Sequence, residues 1–212
     1  MSNDVSWADT LTARVGRAVR QAREPRSVQW LSDRTYALGR RISKATISEL
    51  ETGKRKALPV TDLLLLAAAL EVPPVGLLVA DLPDGDVEIL PRQAVRSVVA
   101  LRWISGEDVL AERPGTRIVG QDGLEHFREW GRQRDVFAAN AEPVVRARTI
   151  FELRERIDAA ARAINAARTR LESLTPGSPR ERELRELHDA WQSRFDADTA
   201  ALFDLGAGPD DA

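Results

Sequence analysis

The fifteen residues Ile42 to Lys56, ISKATISELETGKRK, hold all three lysines of this 212-residue chain, Lys44, Lys54 and Lys56. Cations attract a phosphate backbone wherever they stand. Reading a base edge needs more, namely short polar side chains at the start of one helix pushed into a major groove. Lys44, Ala45, Thr46 and Glu49 stand where such a helix carries them, and Ser48 is available to solvent or phosphate beside them. Each has a plainer use. Glu49 accepts from a cytosine amino group, or pairs with Arg55 or Lys44 at the surface. Lys54-Arg55-Lys56 binds phosphate, or is a solvated charge run. Lys44 at a helix start opposes the helix dipole, which an anionic partner explains better than stability does.

The flanking sequence supplies the supports. Trp7 to Arg23 places Leu11, Val15, Ala18, Val19 and Ala22 at three- and four-residue spacings, which predicts a helix with one buried face and wet arginines. Ser27 caps a second helix to about Leu38, with Trp30, Leu31 and Tyr36 turned inward and Gly39 ending it. Ser43 or its neighbour caps the third, in which Ile47 and Leu50 face the core until Gly53 stops it. Thr61 and Asp62 open an apolar fourth helix, and Pro73-Pro74 start a short fifth.

Three segments together, Ser27-Val28-Gln29-Trp30-Leu31, ISKATISELETGKRK, and the Asp62-to-Leu70 helix followed by Val72-Pro73-Pro74, resemble the Cro/XRE-type (lambda-repressor-like) family of phage and bacterial repressors, especially its actinobacterial members. The resemblance covers residues 8 to 80. It implies a five-helix DNA-binding domain whose third helix reads bases through Lys44, Ala45, Thr46 and Glu49. It further implies phosphate contacts from Lys54, Arg55 and Lys56, with Gln29, Ser48, Arg14 and Arg17 in support. Two departures stand out: Val28 occupies the place after the capping serine where many members have glutamine, and Tyr36 to Arg41 lengthens the turn.

Composition narrows the classes. Residues 1 to 80 carry 12 basic and 8 acidic residues, net +4, whereas residues 81 to 212 carry 19 and 25, net −6. That asymmetry turns the N-terminal part toward a polyanion and the rest away from it. Without cysteine there is no thiol chemistry, disulfide or thiolate-bound metal. His126 and His188 lack the spacing of a metal site, and neither a nucleophile motif nor a glycine-rich phosphate loop occurs, so no enzyme, cofactor or metal is expected. The start, MSNDVSWADT, lacks a basic-then-apolar pattern and the longest apolar run, Leu63 to Leu70, is too short for a membrane span; the expectation is a cytoplasmic, nucleoid-associated protein without a membrane partner.

Beyond residue 80, the acidic Asp81-Leu82-Pro83-Asp84-Gly85-Asp86 predicts a linker over 81–91, with Val87 to Leu90 alternating briefly. A middle region, 92–140, is expected to combine a helix over Arg92 to Ile104, a short strand or loop at Thr116 to Val119, and a helix capped by Asp122 and running from Gly123 to about Ala139. In residues 141–212, Ile150, Ile157, Ile164 and Leu171, with Leu153, Ala160, Ala167 and Leu174 three places after each, form four heptads of an a/d seam. They predict a helix from about Pro143 to Leu174, a turn at Thr175 to Pro179 and a second helix from Arg180 to Leu205, with Gly206 to Ala212 fraying. This antiparallel hairpin either packs only within the chain or joins two chains.

The expected architecture is therefore mainly α: a five-helix helix-turn-helix domain, a short mixed middle region and a C-terminal helical hairpin. The expected function is sequence-specific binding of double-stranded DNA as a transcriptional regulator, a phage- or prophage-type repressor acting by promoter occlusion and dimerising through its C-terminal helices. Two other classes remain open on sequence: an antitoxin-like adaptor that uses the same fold to hold a protein, and a ligand-responsive regulator with a small-molecule site around Trp103, Phe127 and Trp130.

Overall fold

The computed structural model describes residues 6–79, 81–111 and 120–208, with side chains from residue 123 onward in the last stretch. Among them are eight helices and one two-stranded sheet, in two compact units, 1–138 and 139–212. The expected strand or loop at Thr116 to Val119 lies outside the described residues.

Five helices open the first unit: α1 (Trp7–Arg23), α2 (Val28–Ala37), α3 (Lys44–Glu51), α4 (Val60–Leu70) and α5 (Pro74–Leu78). Serines begin the first three. Ser6, Ser27 and Ser43 each accept, through the side-chain oxygen, from the amide three residues on, satisfying a donor that the first helical turn leaves free. The start of α4 differs from expectation: Pro59 precedes it without a side-chain cap, and Asp62 is buried within the first turn. Val15, Val19, Leu31, Ile47, Leu50, Leu66 and Leu77 bring all five helices to one core. Tyr36 is not part of it. It is 63% exposed, with the Arg41 guanidinium over its ring, because the chain is already leaving α2 there.

The stretch 81–91 is not a free linker. β1 (Asp86–Leu90) pairs antiparallel with β2 (Gln93–Arg96), and Arg14 of α1 binds the Glu88 carbonyl. The first five residues expected to begin a helix at Arg92 are thus spent on the turn and β2, and only α6 (Ser97–Ile104) is helical, as their β-branched content allows. Val79, Val87, Ile89, Val95, Ala100 and Leu110 form a second core under this hairpin.

α7 (Gly120–Leu171) runs unbroken where two helices were expected, so Asp122 lies inside it instead of capping it and Pro143 is accommodated within it. In the second unit, α7 pairs with α8 (Pro179–Asp204). Leu153, Ile157, Ala160 and Ala167 of the heptad seam are buried, with Leu202 fully enclosed against Leu153 and Ile157. Ile150, Ile164, Leu171 and Leu174 are half-buried. The tail is held through Gly208 where fraying was expected from Gly206: Arg146 donates to the Leu205 carbonyl at 2.6 Å and Arg154 to that of Gly208 at 3.0 Å.

Candidate nucleic-acid interface

The exposed face of α3 is the site around which the basic residues gather. At about 100° per residue, Lys44, Ser48, Ala45 and Glu49 follow one another around the helix, while Thr46, Ile47 and Leu50 take the other side. Burial agrees: the first four are exposed, Thr46 is half-buried, and Ile47 and Leu50 are almost fully enclosed.

Two contacts fix α3 from behind. At Gly16 a side chain would bring Cβ to 2.8 Å from the Leu50 carbonyl carbon and closer still to its oxygen, so α1 and α3 touch backbone to backbone. Arg23 of α1 also meets Glu51 at the end of α3 through two parallel bonds, Nε to Oε1 at 2.7 Å and Nη2 to Oε2 at 2.8 Å, with both side chains at most 10% exposed. The Glu51 hydrogen bond holds the Arg23 guanidinium above the usual arginine range. Nothing in the sequence marks this pair, since it joins residues 28 positions apart.

The long turn ahead of α3 is fastened by two buried hydroxyls. Ser32 donates to the Ile42 carbonyl at 2.7 Å, and Thr35 Oγ1 accepts from the Ile42 amide at 3.0 Å. Gly39 takes φ +102° in that turn, and Gly53 takes φ +70° after α3, both in the left-handed region that other residues enter at a cost.

The expected site residues separate into three groups. Lys44, Ala45, Ser48 and Glu49 share the exposed face. Among the described residues Lys44, Lys54 and Glu49 make no ion pair, so Glu49 joins neither Arg55 nor Lys44. Thr46 stands at the edge, its hydroxyl 2.9 Å from that of the capping Ser43. A second group is near the face but engaged. Lys56 lies 3.4 Å from Asp9, Arg55 donates to the Ala57 carbonyl at 2.9 Å, and Gln29 donates to Asp33 at 2.8 Å. Gln29, with Arg41 adding to it, holds the Asp33 carboxyl below its ordinary range. Arg17 is exposed on α1.

Arg14 must be withdrawn from the phosphate set. It is 8% exposed and donates to the carbonyls of Leu78 at 3.1 Å and Glu88 at 3.2 Å, where burial, and then Arg17, depresses its pKa. It is a strut between α1 and the hairpin. Of the aromatic trio weighed for a small molecule, Phe127 packs against Trp130 with ring centroids 5.8 Å apart, and Trp130 lines a cavity of about 230 Å³ with Val98, Val99, Arg102 and Val109, where Arg102 is paired with Asp108 at 3.1 Å. No cluster of three metal-ligating side chains occurs among the described residues, and no helix there is long and apolar enough to cross a membrane.

No family model, curated protein or solved structure matches this chain. The site itself is a short helix with one polar face outward, gripped from behind, and basic side chains on the loops at either end.

Proposed function

We propose that this protein is a sequence-specific DNA-binding transcriptional regulator that inserts the outer face of α3 into the major groove and represses by covering promoter DNA. The observation that carries the proposal is the pair of exposed ammonium groups outside any salt bridge among the described residues, Lys44 at the start of α3 and Lys54 just beyond its end, on a helix whose other side is locked to α1. Rigid support suits base readout, which needs donors and acceptors held in register with the base edges. Lys44, Ala45, Ser48 and Glu49 would read bases, Ser48 moving from the phosphate set to the centre of the reading face and Thr46 contributing from its edge. Lys54, Arg55, Lys56, Gln29 and Arg17 would hold phosphates.

One such helix reads few base pairs. Two related by a twofold axis reach half-sites roughly 34 Å apart, so a homodimer through the C-terminal helices belongs to the proposal. Half of the a/d seam is buried within the chain; the half-buried Ile150, Ile164, Leu171 and Leu174, with outward side chains such as Val144 and Phe151 at 52% and 64% exposure, are the groups available for pairing protomers.

The test is selection of bound duplexes from a random pool by the full-length protein, with Lys44→Ala alongside. A palindrome with half-sites about one turn apart, lost in the variant, is the expected result. An asymmetric single site would remove the symmetric dimer, and no enrichment would remove the function. Lys44→Ala should weaken specific binding more than non-specific binding, whereas Lys54→Ala should weaken both and lower the salt dependence.

A further inference from the structure

The geometry points to a phosphate clamp made by Arg40 and Arg55, positioned by the one buried carboxylate, Asp62, that both guanidiniums share. The inference rests on the DNA-binding reading above and adds to it Arg40, a residue that neither spacing nor resemblance assigns.

Arg40 lies in the turn before α3 and Arg55 in the loop after it, and both reach back to the first turn of α4. There the Asp62 side chain is 7% exposed. Arg40 Nη2 donates to Oδ1, and Arg55 Nη2 stands 3.6 Å from Oδ2. A buried carboxylate is costly unless paired, and one guanidinium would suffice to pair it. Two leave a surplus positive charge.

That surplus faces outward, since the Arg40 side chain is 54% exposed and that of Arg55 26%. A guanidinium carries five N–H donors. Arg40 spends one on Asp62, and Arg55 spends its Nε–H on the Ala57 carbonyl; neither has any other partner among the described residues. The remaining donors suit phosphate oxygens, which guanidinium planes bind in pairs. Because Asp62 already orders both side chains, less rotamer freedom is lost when the anion arrives. Lys54, with no such anchor, contributes charge without fixed geometry.

The sign of one substitution separates positioning from plain charge. Asp62→Asn raises the net charge by one, so long-range attraction alone would strengthen binding to DNA. If Asp62 positions the clamp, binding weakens instead. Full-length wild type, Arg40→Ala and Asp62→Asn would be titrated with the selected duplex and a random duplex over a range of salt, with circular dichroism to confirm folding.

For Arg40→Ala, the clamp predicts a loss of roughly three- to tenfold on both duplexes and a salt slope shallower by about one. For Asp62→Asn it predicts weaker binding despite the added charge. Tighter binding by folded Asp62→Asn, or unchanged affinity and slope for Arg40→Ala, overturns the clamp. Should Asp62→Asn fail to fold, the exposed Arg40→Ala decides alone. A wild type that binds neither duplex overturns the DNA-binding reading itself, a result distinct from either variant's.

Discussion

The α1–α5 helices and the α7–α8 hairpin are held together in different ways. Around α3, directional polar bonds join the apolar core: Arg23 with Glu51, Ser32 and Thr35 with the Ile42 backbone, Asp62 with two arginines. In the hairpin a periodic seam of Leu153, Ile157, Ala160 and Ala167 carries most of the packing, and the buried carboxylate Asp198 is tied to Arg156 across the helices and lies 3.9 Å from Arg194. The difference follows from what each must deliver. A hairpin needs two helices side by side, which a repeated apolar stripe provides. If α3 reads bases as proposed, it must be held at one angle and one depth, and buried hydrogen-bonded groups penalise every other arrangement because they tolerate no loss of partner.

The largest test of that contrast is Gly16→Val. Its side chain would collide with the Leu50 backbone, which cannot swing aside, so a loss of about 4 kcal/mol or more is expected in denaturant unfolding. Hydrogen exchange should report the loss in α1–α5 while α8 amides keep their protection. Next is Glu51→Ala, which strands the buried Arg23 charge; about 3 kcal/mol is expected, and a near-neutral result would show the pair to be dispensable to the mounting of α3. Leu202→Ala probes the other region. Removing a fully buried leucine should cost about 3 kcal/mol, read as lost protection in α8 with α1–α3 unchanged. Loss in both regions at once would break the comparison.

The smallest effect concerns the start of α8. Ser178 caps the Glu181 amide at 3.1 Å, and Glu181 in turn accepts from Gly177 at 3.3 Å and from Arg185 at 2.9 Å. Arg185 chiefly, and then the Gly177 amide, hold its carboxyl below the usual glutamate range. A depressed carboxylate stabilises the fold above its unfolded pKa, and that contribution disappears as pH falls through the folded value. Glu181→Gln should therefore lower the urea midpoint slightly near neutral pH and not at all in strong acid; an equal deficit at both would assign the effect to packing.

Much of this was written in local sequence. The first three helices follow from apolar spacing and capping serines, the fourth and fifth from an apolar run and the Pro73-Pro74 pair, and the hairpin from its heptads and the Thr175-to-Pro179 turn. The single long α7 was not legible, because a proline such as Pro143 argues locally for a break. Nor was the β1–β2 hairpin: the acidic, glycine-containing stretch before it reads as a linker until Arg14 is seen to bind the Glu88 carbonyl. Within the candidate site, Lys44, Ala45 and Glu49 were legible from their offsets along one short helix. Ser48 and Thr46 exchanged emphasis because the Ser43 cap engages the Thr46 hydroxyl.

Sequence alone thus determined the helices of the N-terminal domain and of the C-terminal hairpin, where α3 begins and ends, and that Lys44, Ala45, Ser48 and Glu49 face outward, since each depends on contacts within a few residues. Tertiary structure alone decided which charges remain free to meet a partner. Arg14, Arg17, Arg40 and Arg55 look alike as letters, yet one is buried as a strut, one stands exposed, and two share a carboxylate. The reason is that an arginine's role is set by the groups at the end of a long side chain, and those arrive from distant parts of the chain.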